Sequence, residues 1–202
     1  VNTEASNVLA KLAAAPRMKE LGLKFSRGWN ESGDKKKGYF DTGWQRPDSW
    51  ADAILQGPHL GVSTPMIKQP NPTMKNNQDW SEVDFETMPS DFIPAMAYTP
   101  DRTAQPDYDS DYGFWESPDG PVRVKDQFRV AWREMAAPTG YRTLYPSLIP
   151  PGSAHVNAVN SVSLLGSNRE LVRTGAAMSS ILSDFFVRSG GSAHIYRSVF
   201  ES

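Results

Sequence analysis

Apolar positions fall into two regular regions separated by an irregular one. Near the start, Val8, Leu9 and Leu12 recur at helical spacing behind Thr3, a capping residue, and ahead of Pro16, predicting a helix from Thr3 to about Ala15. Leu21, Leu23 and Phe25 then alternate with Gly22 and Lys24, the signature of a short strand. Ser26 to Gly38 is polar and rich in Gly and Lys, which predicts a mobile surface loop. Ser49 ahead of Trp50-Ala-Asp52 has the form of a capped helix start, with Gly57 as the stop.

Nine of the 16 prolines lie between Pro58 and Pro118. Proline lacks a backbone donor and fixes φ, so loops and short strands are expected there, with one helical turn around Trp80 to Phe85. Trp80, Tyr98, Tyr108, Tyr112 and Trp115 give the segment enough aromatic surface to pack down. Residues 58–119 thus read as an acidic, Pro-rich, ordered insertion within a single domain spanning 1–202.

Regularity returns after Val122. Phe128, Val130 and Trp132 fall on one face of a strand and Arg129, Ala131 and Arg133 on the other. Further strands are expected across Arg142 to Leu148 and His155 to Leu164. A helix from about Asn168 to Arg188 has Leu171, Met178, Ile181, Leu182, Phe185 and Phe186 along one side. The pattern predicts an α+β fold: a short-stranded mixed sheet with packing helices at the N-terminal and C-terminal ends and the irregular insertion between.

Composition narrows the chemistry. The chain has 202 residues, no cysteine and three histidines, His59, His155 and His194, which excludes disulfides and thiolate metal sites and disfavours a histidine metal centre. No apolar run is long enough to span a bilayer and the start lacks a signal-peptide pattern, so a cytoplasmic protein is expected. Val1 at the start and an apolar pattern running to the end suggest a piece of a longer protein. The net charge of −2 hides segregation: residues 1–37 carry +4, 38–75 are neutral, 76–119 carry −10 and 120–202 carry +4.

Most catalytic patterns fail on inspection. Asp107-Tyr-Asp109-Ser-Asp111 resembles the start of a calcium loop, but Tyr112 stands where the turn glycine belongs and Pro118 where the closing glutamate belongs, so a solvated acidic turn is expected. Asp119 with Lys125 lacks the second carboxylate of a metal-dependent nuclease. Ser179, Ser180 and Ser183 lie inside the predicted helix, where nothing presents a nucleophile to His155 or His194. There is no glycine-rich dinucleotide loop and no Asn/Asp-Pro-Pro-aromatic motif for a flipped base; Pro70-Asn-Pro72 lacks the second proline and the aromatic.

What remains is a set of cations beside strand and helix signals: Arg129, Arg133, Arg142, His155, Arg188 and His194. The arginine fork binds guanine edges or phosphates bidentately. Arg188 lies four residues after Asp184 and is equally well read as a helix-locking ion pair. Arg133 beside Glu134 invites a similar structural reading, and Lys35, Lys36 and Lys37 are phosphate-binding candidates.

Phe128-Arg-Val-Ala-Trp-Arg133, Arg142-Thr-Leu144, Ile149-Pro-Pro-Gly152 with His155, and Ser183-Asp-Phe-Phe-Val-Arg188 followed by His194 resemble the C-terminal part of adenine-specific DNA methyltransferases. These include Type IIG restriction-modification and phage-defence enzymes, where this part is a TaqI-like target-recognition (specificity) domain. The resemblance covers 122–200 and, more loosely, 1–75. It implies a domain that binds double-stranded DNA and performs no chemistry itself, while an upstream methyltransferase domain of the same chain binds S-adenosylmethionine and carries out the transfer, with endonuclease activity left open. Its expected DNA contacts are Arg129, Arg133, Arg142, His155 and His194, with Lys35, Lys36 and Lys37 on phosphates. Two alternatives stand beside it: a protein-interaction or assembly module of a large enzyme, and a carbohydrate- or ligand-binding domain that uses its six tryptophans.

Overall fold

A computed structural model describes residues 3–14, 18–135, 137 and 139–201. In chain order the helices are α1 (Thr3–Ala13), α2 (Gly33–Lys36), α3 (Tyr108–Asp111), α4 (Asn168–Ser179), α5 (Ile181–Ser189) and α6 (Ser198–Glu201). The strands are β1 (Lys24–Ser26), β2 (Phe40–Gln45), β3 (Ile54–Leu55), β4 (Lys68–Pro70), β5 (Trp80–Glu82), β6 (Met96–Pro100), β7 (Phe114–Trp115), β8 (Val122–Arg123), β9 (Arg129–Arg133), β10 (Ser147–Ile149), β11 (Ala154–His155) and β12 (Val159–Ser163). This is an α+β fold. Among the described residues no helix is long and apolar enough to cross a membrane.

The organising element is an antiparallel sheet of order β1-β12-β9-β10. Successive side chains on β9 point to opposite faces. Val130 and Trp132 therefore join Leu171 and Met178 of α4, Val187 of α5, and Ile195 and Phe200 in one core. Ala131, on the other face, joins Leu55, Leu60, Met96, Ile149 and Val159 in a second. The face expected to present arginines is thus covered by the layer containing β3 and β11, which pair in parallel.

The Pro-rich segment helps build a third core. Tyr98, Tyr108, Tyr112 and Trp115 pack with Trp29, Phe40, Ile54 and Val156, and β6 of this segment pairs with β2. The stretch expected as a mobile loop is tied to the same core. Trp29 is buried; its amide donates to His155 O at 2.9 Å and its indole to Tyr108 Oη at 3.1 Å, and its ring stacks on Tyr39 with centroids 4.4 Å apart. Gly28 explains the close approach: at φ +66, a Cβ there would stand 2.1 Å from His155 O.

Four predicted elements differ: the strand expected from Arg142 is confined to β10, Ser147–Ile149, because residues 142–144 are drawn to α5 instead. Ser49 caps as expected, accepting from Ala51 N, but only a 3-10 turn over Trp50–Asp52 follows before the chain becomes β3. Ile54 and Leu55 are fully buried on both sides of that strand, and tertiary burial overrides the helical start signal. Around Trp80 the chain is strand, and the helical turn lies instead at Tyr108–Asp111. The long C-terminal helix breaks at Ser180, whose φ −66 and ψ 151 end α4 while its hydroxyl accepts from Ser183 N to cap α5. The break rotates α5, so Val187 turns inward while Ile181 (78%) and Phe185 (58%) are exposed.

Candidate nucleic-acid interface

Two of the motifs meet in space, around the buried Asp184. Asp184 Oδ1 of α5 accepts from Thr143 N and Leu144 N, both at 2.7 Å. Arg142 donates to Ser179 O at 2.7 Å and Ser180 O at 3.1 Å, where the two helices join. Arg188 donates to Gly140 O at 2.8 Å and Thr143 Oγ1 at 3.0 Å, and stands 3.6 Å from Asp184. Arg142-Thr-Leu144 and Asp184…Arg188 thus form one knot, and the helix-locking reading of Arg188 holds, extended to a second segment.

Arg129 and His155 are corrected outright. Both are 0% exposed and cannot reach an external ligand. Arg129 donates to Ser153 O and, at 3.3 Å, to Tyr112 Oη, and packs on the Tyr112 ring. His155 Nε2 lies 2.7 Å from Ser161 Oγ, and burial, with Arg129 nearby, pushes its pKa down to about 3. This buried serine–histidine pair faces a cation rather than a carboxylate and has no access for substrate, so it is a structural hydrogen bond.

Arg133 is spent as well. Its guanidinium donates to Leu60 O, with Nε at 3.0 Å, and lies over the Tyr145 ring at 4.2 Å, rather than pairing with Glu134. Among the lysines, Lys35 Nζ donates to Thr42 Oγ1, Lys37 pairs with Asp34 at 2.9 Å, and Lys36 is exposed. The acidic turn is not simply solvated: Asp109 bridges Arg102 at 2.6 Å and the buried Lys125 at 2.5 Å. Burial pulls Lys125 below the usual amine range while Asp109 pulls it back. Among the described residues no group of His, Cys, Asp and Glu is placed to hold a metal ion. Trp29, Trp115 and Trp132 are buried, which removes them as carbohydrate platforms.

Among the described residues none of the predicted contacts lines a cleft; His194 comes nearest, stacked on Tyr196 at the rim of an open one. The cleft, about 330 Å³, lies at the β1 edge of the sheet and is lined by Phe25, Ser26, Arg27, Asn160, Tyr196 and Arg197. Its arrangement follows from Glu134, the residue after β9, whose carboxylate is nearly buried. It accepts from Asn160 Nδ2 at 3.2 Å and pairs with Arg27 Nη2 at 3.5 Å, and His194 Nδ1 lies 3.5 Å away without a hydrogen bond. Ile195 N donates to Glu134 O at 2.7 Å and Trp132 Nε1 to Ile195 O at 2.8 Å, which fixes the strip bearing His194 and Tyr196 against the sheet. There the two rings stack 5.3 Å apart and 5° from parallel, with Tyr196 44% exposed. Arg27 is 64% exposed along its side chain. The cleft therefore combines two arginines with an exposed tyrosine backed by His194, over a floor that includes the buried Asn160.

Sequence reasoning missed Arg27, Asn160, Tyr196, Arg197 and the organising Glu134. Arg27 follows a strand signal and Tyr196-Arg197 follows His194, but they are brought together only by the pairing of β1 with β12 and by the bonds that tie Ile195 to Glu134 and Trp132. Comparison with known protein families and with curated proteins returns no match for this chain.

Proposed function

We propose that the chain is the DNA sequence-recognition domain of a restriction-modification type adenine-specific DNA methyltransferase, presenting duplex DNA to a separate catalytic domain that binds S-adenosylmethionine. The observation that carries this reading is the β1-edge cleft, where Arg27, Arg197 and Asn160 lie beside the stacked His194–Tyr196 pair. Arginine forks serve phosphates and guanine edges, and an exposed aromatic side chain supports a base or sugar; Asn160, buried on Glu134, is part of the floor. The motifs behind the resemblance act as scaffold in this reading: they hold the sheet and α4–α5 in place, and the contacts come from the cleft.

The test is duplex binding across a salt series. Log K should fall linearly with log salt, and Arg27→Ala/Arg197→Ala should weaken binding and flatten the slope by about 1.8, the counterion release of two phosphate contacts. Absence of any salt-sensitive binding by the unmodified chain overturns the proposal.

A second reading, an assembly module of a large enzyme, draws on the exposed apolar face of α5, where Ile181, Leu182, Phe185 and Phe186 lie open. It requires association that Ile181→Asp/Phe185→Asp abolishes and that rising salt leaves intact.

A further inference from the structure

The hairpin formed by β4 and β5 carries a loop, residues 71–79, whose folding is unusually complete for an exposed tip. Asp79 gathers it inward: Oδ1 accepts from Asn71 Nδ2 at 2.8 Å, and Oδ2 from Thr73 Oγ1 at 2.6 Å and Lys75 N at 2.9 Å. With these donors, led by Asn71, its pKa is held down to about 2, so the acid stays ionised and turned inward. Asn71 N donates to Asp79 O at 2.9 Å and Ser81 Oγ to Asn71 Oδ1 at 2.6 Å. Met74 takes the left-handed conformation, φ +40, that closes the turn.

The base is anchored just as firmly. Trp44 Nε1 donates to Pro70 O at 2.9 Å, Gln69 Oε1 accepts from Ala95 N at 3.1 Å and Arg46 at 3.2 Å, and the Trp80 ring meets the buried His59 ring edge-on at 4.7 Å. This bracing leaves an outward run of Lys75, Asn76, Asn77 and Gln78, all exposed. Asn76 Oδ1 is engaged by Gln78 N at 2.8 Å, but among the described residues the side-chain amides of Asn77 and Gln78 make no hydrogen bond.

We propose that this hairpin is a major-groove reading finger, with Lys75 on a phosphate and Asn77 and Gln78 on base edges, favouring adenine. The inference rests on the DNA-recognition reading above. A two-stranded ribbon fits the major groove, and carboxamides bond adenine bidentately through its N6 and N7 edge. Because the loop is already folded, little ordering entropy is lost on docking. The tip also lacks the aromatic or arginine anchor on which protein interfaces depend, so a protein partner is the poorer fit.

The experiment selects preferred sites from randomised duplexes using the full 202-residue chain, then compares Asn77→Ala/Gln78→Ala and Lys75→Ala, with melting curves confirming the fold. The double variant should lose discrimination at one or two A·T positions by about 5- to 150-fold, the effect of one lost bidentate contact, with an unchanged salt slope. Lys75→Ala should weaken all duplexes alike and flatten the slope by about 0.9. If the double variant selects the same sequence with the same ratio, or the unmodified chain binds duplexes without sequence preference, the finger is wrong while DNA binding stands. If the unmodified chain binds no duplex in a salt-sensitive way, the underlying reading fails and this inference with it.

Discussion

Replacing Asp184 with alanine tests the knot that joins the two C-terminal motifs. Asp184 is 4% exposed and accepts two backbone N–H groups, from Thr143 and Leu144, each at 2.7 Å. Alanine leaves both donors buried without an acceptor, and each bond to a charged acceptor contributes about 1.5–3 kcal/mol. Arg142 and Arg188, at 3.5 and 3.6 Å, lose a counter-charge but keep their carbonyl and hydroxyl acceptors, so their share is smaller. The expected loss is about 3–5 kcal/mol, a large fraction of the roughly 5–15 kcal/mol that stabilises a domain. For a chain of this size that lowers Tm by roughly 6–20 °C. Asp184→Asn retains an acceptor oxygen in the same position and should lose about 1–2 kcal/mol. Circular dichroism melts and urea titrations at neutral pH read both variants. An alanine variant within about 1 kcal/mol of the parent refutes the account. An asparagine variant as damaged as alanine refutes the dominance of the two backbone acceptors over the ion pairs.

The remaining predictions concern other parts of the scaffold. His59 and His155 are buried, with burial pushing their pKa values down to about 4 and about 3. Both are neutral in the folded state and take up protons on unfolding below about pH 6.5. Their stabilisation is complete above that pH and declines as pH falls toward the folded values, by about 3 kcal/mol each at pH 4. Tm should therefore drop between pH 7 and 4, and His155→Gln should flatten the profile; an equally steep decline in the variant contradicts the assignment. Gly28→Ala would force a Cβ against His155 O and Nδ1 at a positive φ, and should cost about 3 kcal/mol or more by urea titration. Ser180→Ala removes the cap of α5 and should cost about 1 kcal/mol, measurable as a Tm shift of roughly 2–4 °C.

The fold was legible where one periodic element meets one layer. Alternation over Phe128 to Arg133 located β9, and helical spacing located α1 and α4. What alternation could not supply was the identity of the second layer. Arg129, Ala131 and Arg133 look like a polar face until β3 and β11 cover them, and covering a cation is possible because Ser153 O, Tyr112 and Leu60 O receive it. The break at Ser180 was hidden for a related reason. Serine caps a helix only when its neighbours permit an extended ψ, and here the carbonyls at the joint are taken up by Arg142, a residue far away in sequence. Of the expected contacts, His194 lies nearest the cleft, stacked on its lining residue Tyr196. Glu134, which organises it, looked like the partner of its neighbour Arg133, yet successive residues on an extended chain point to opposite sides and these two serve different layers.

This division between buried motif and open cleft follows from what each task requires of a sequence. An arginine bonded within the fold needs specific acceptors at fixed positions, so a scaffold built on the buried Arg129 and the partly buried Arg142 and Arg188 demands particular residues at particular spacings and leaves a readable pattern. A reading surface needs only polar side chains held rigidly outward, and many loops of different sequence provide that. The exposed amides of Asn77 and Gln78 and the cleft around Arg27 carry no spacing rule of their own; their rigidity is supplied by Asp79 and Glu134, one acid beneath each surface. Both of these acids are engaged by donors of the protein itself, so neither is turned toward a partner docked on these surfaces. It follows that Glu134→Gln, which keeps an amide oxygen for Asn160 but removes the negative charge facing Arg27, should disturb duplex binding far more than it disturbs stability. A variant that melts much earlier yet binds as tightly would place Glu134 in the scaffold alone.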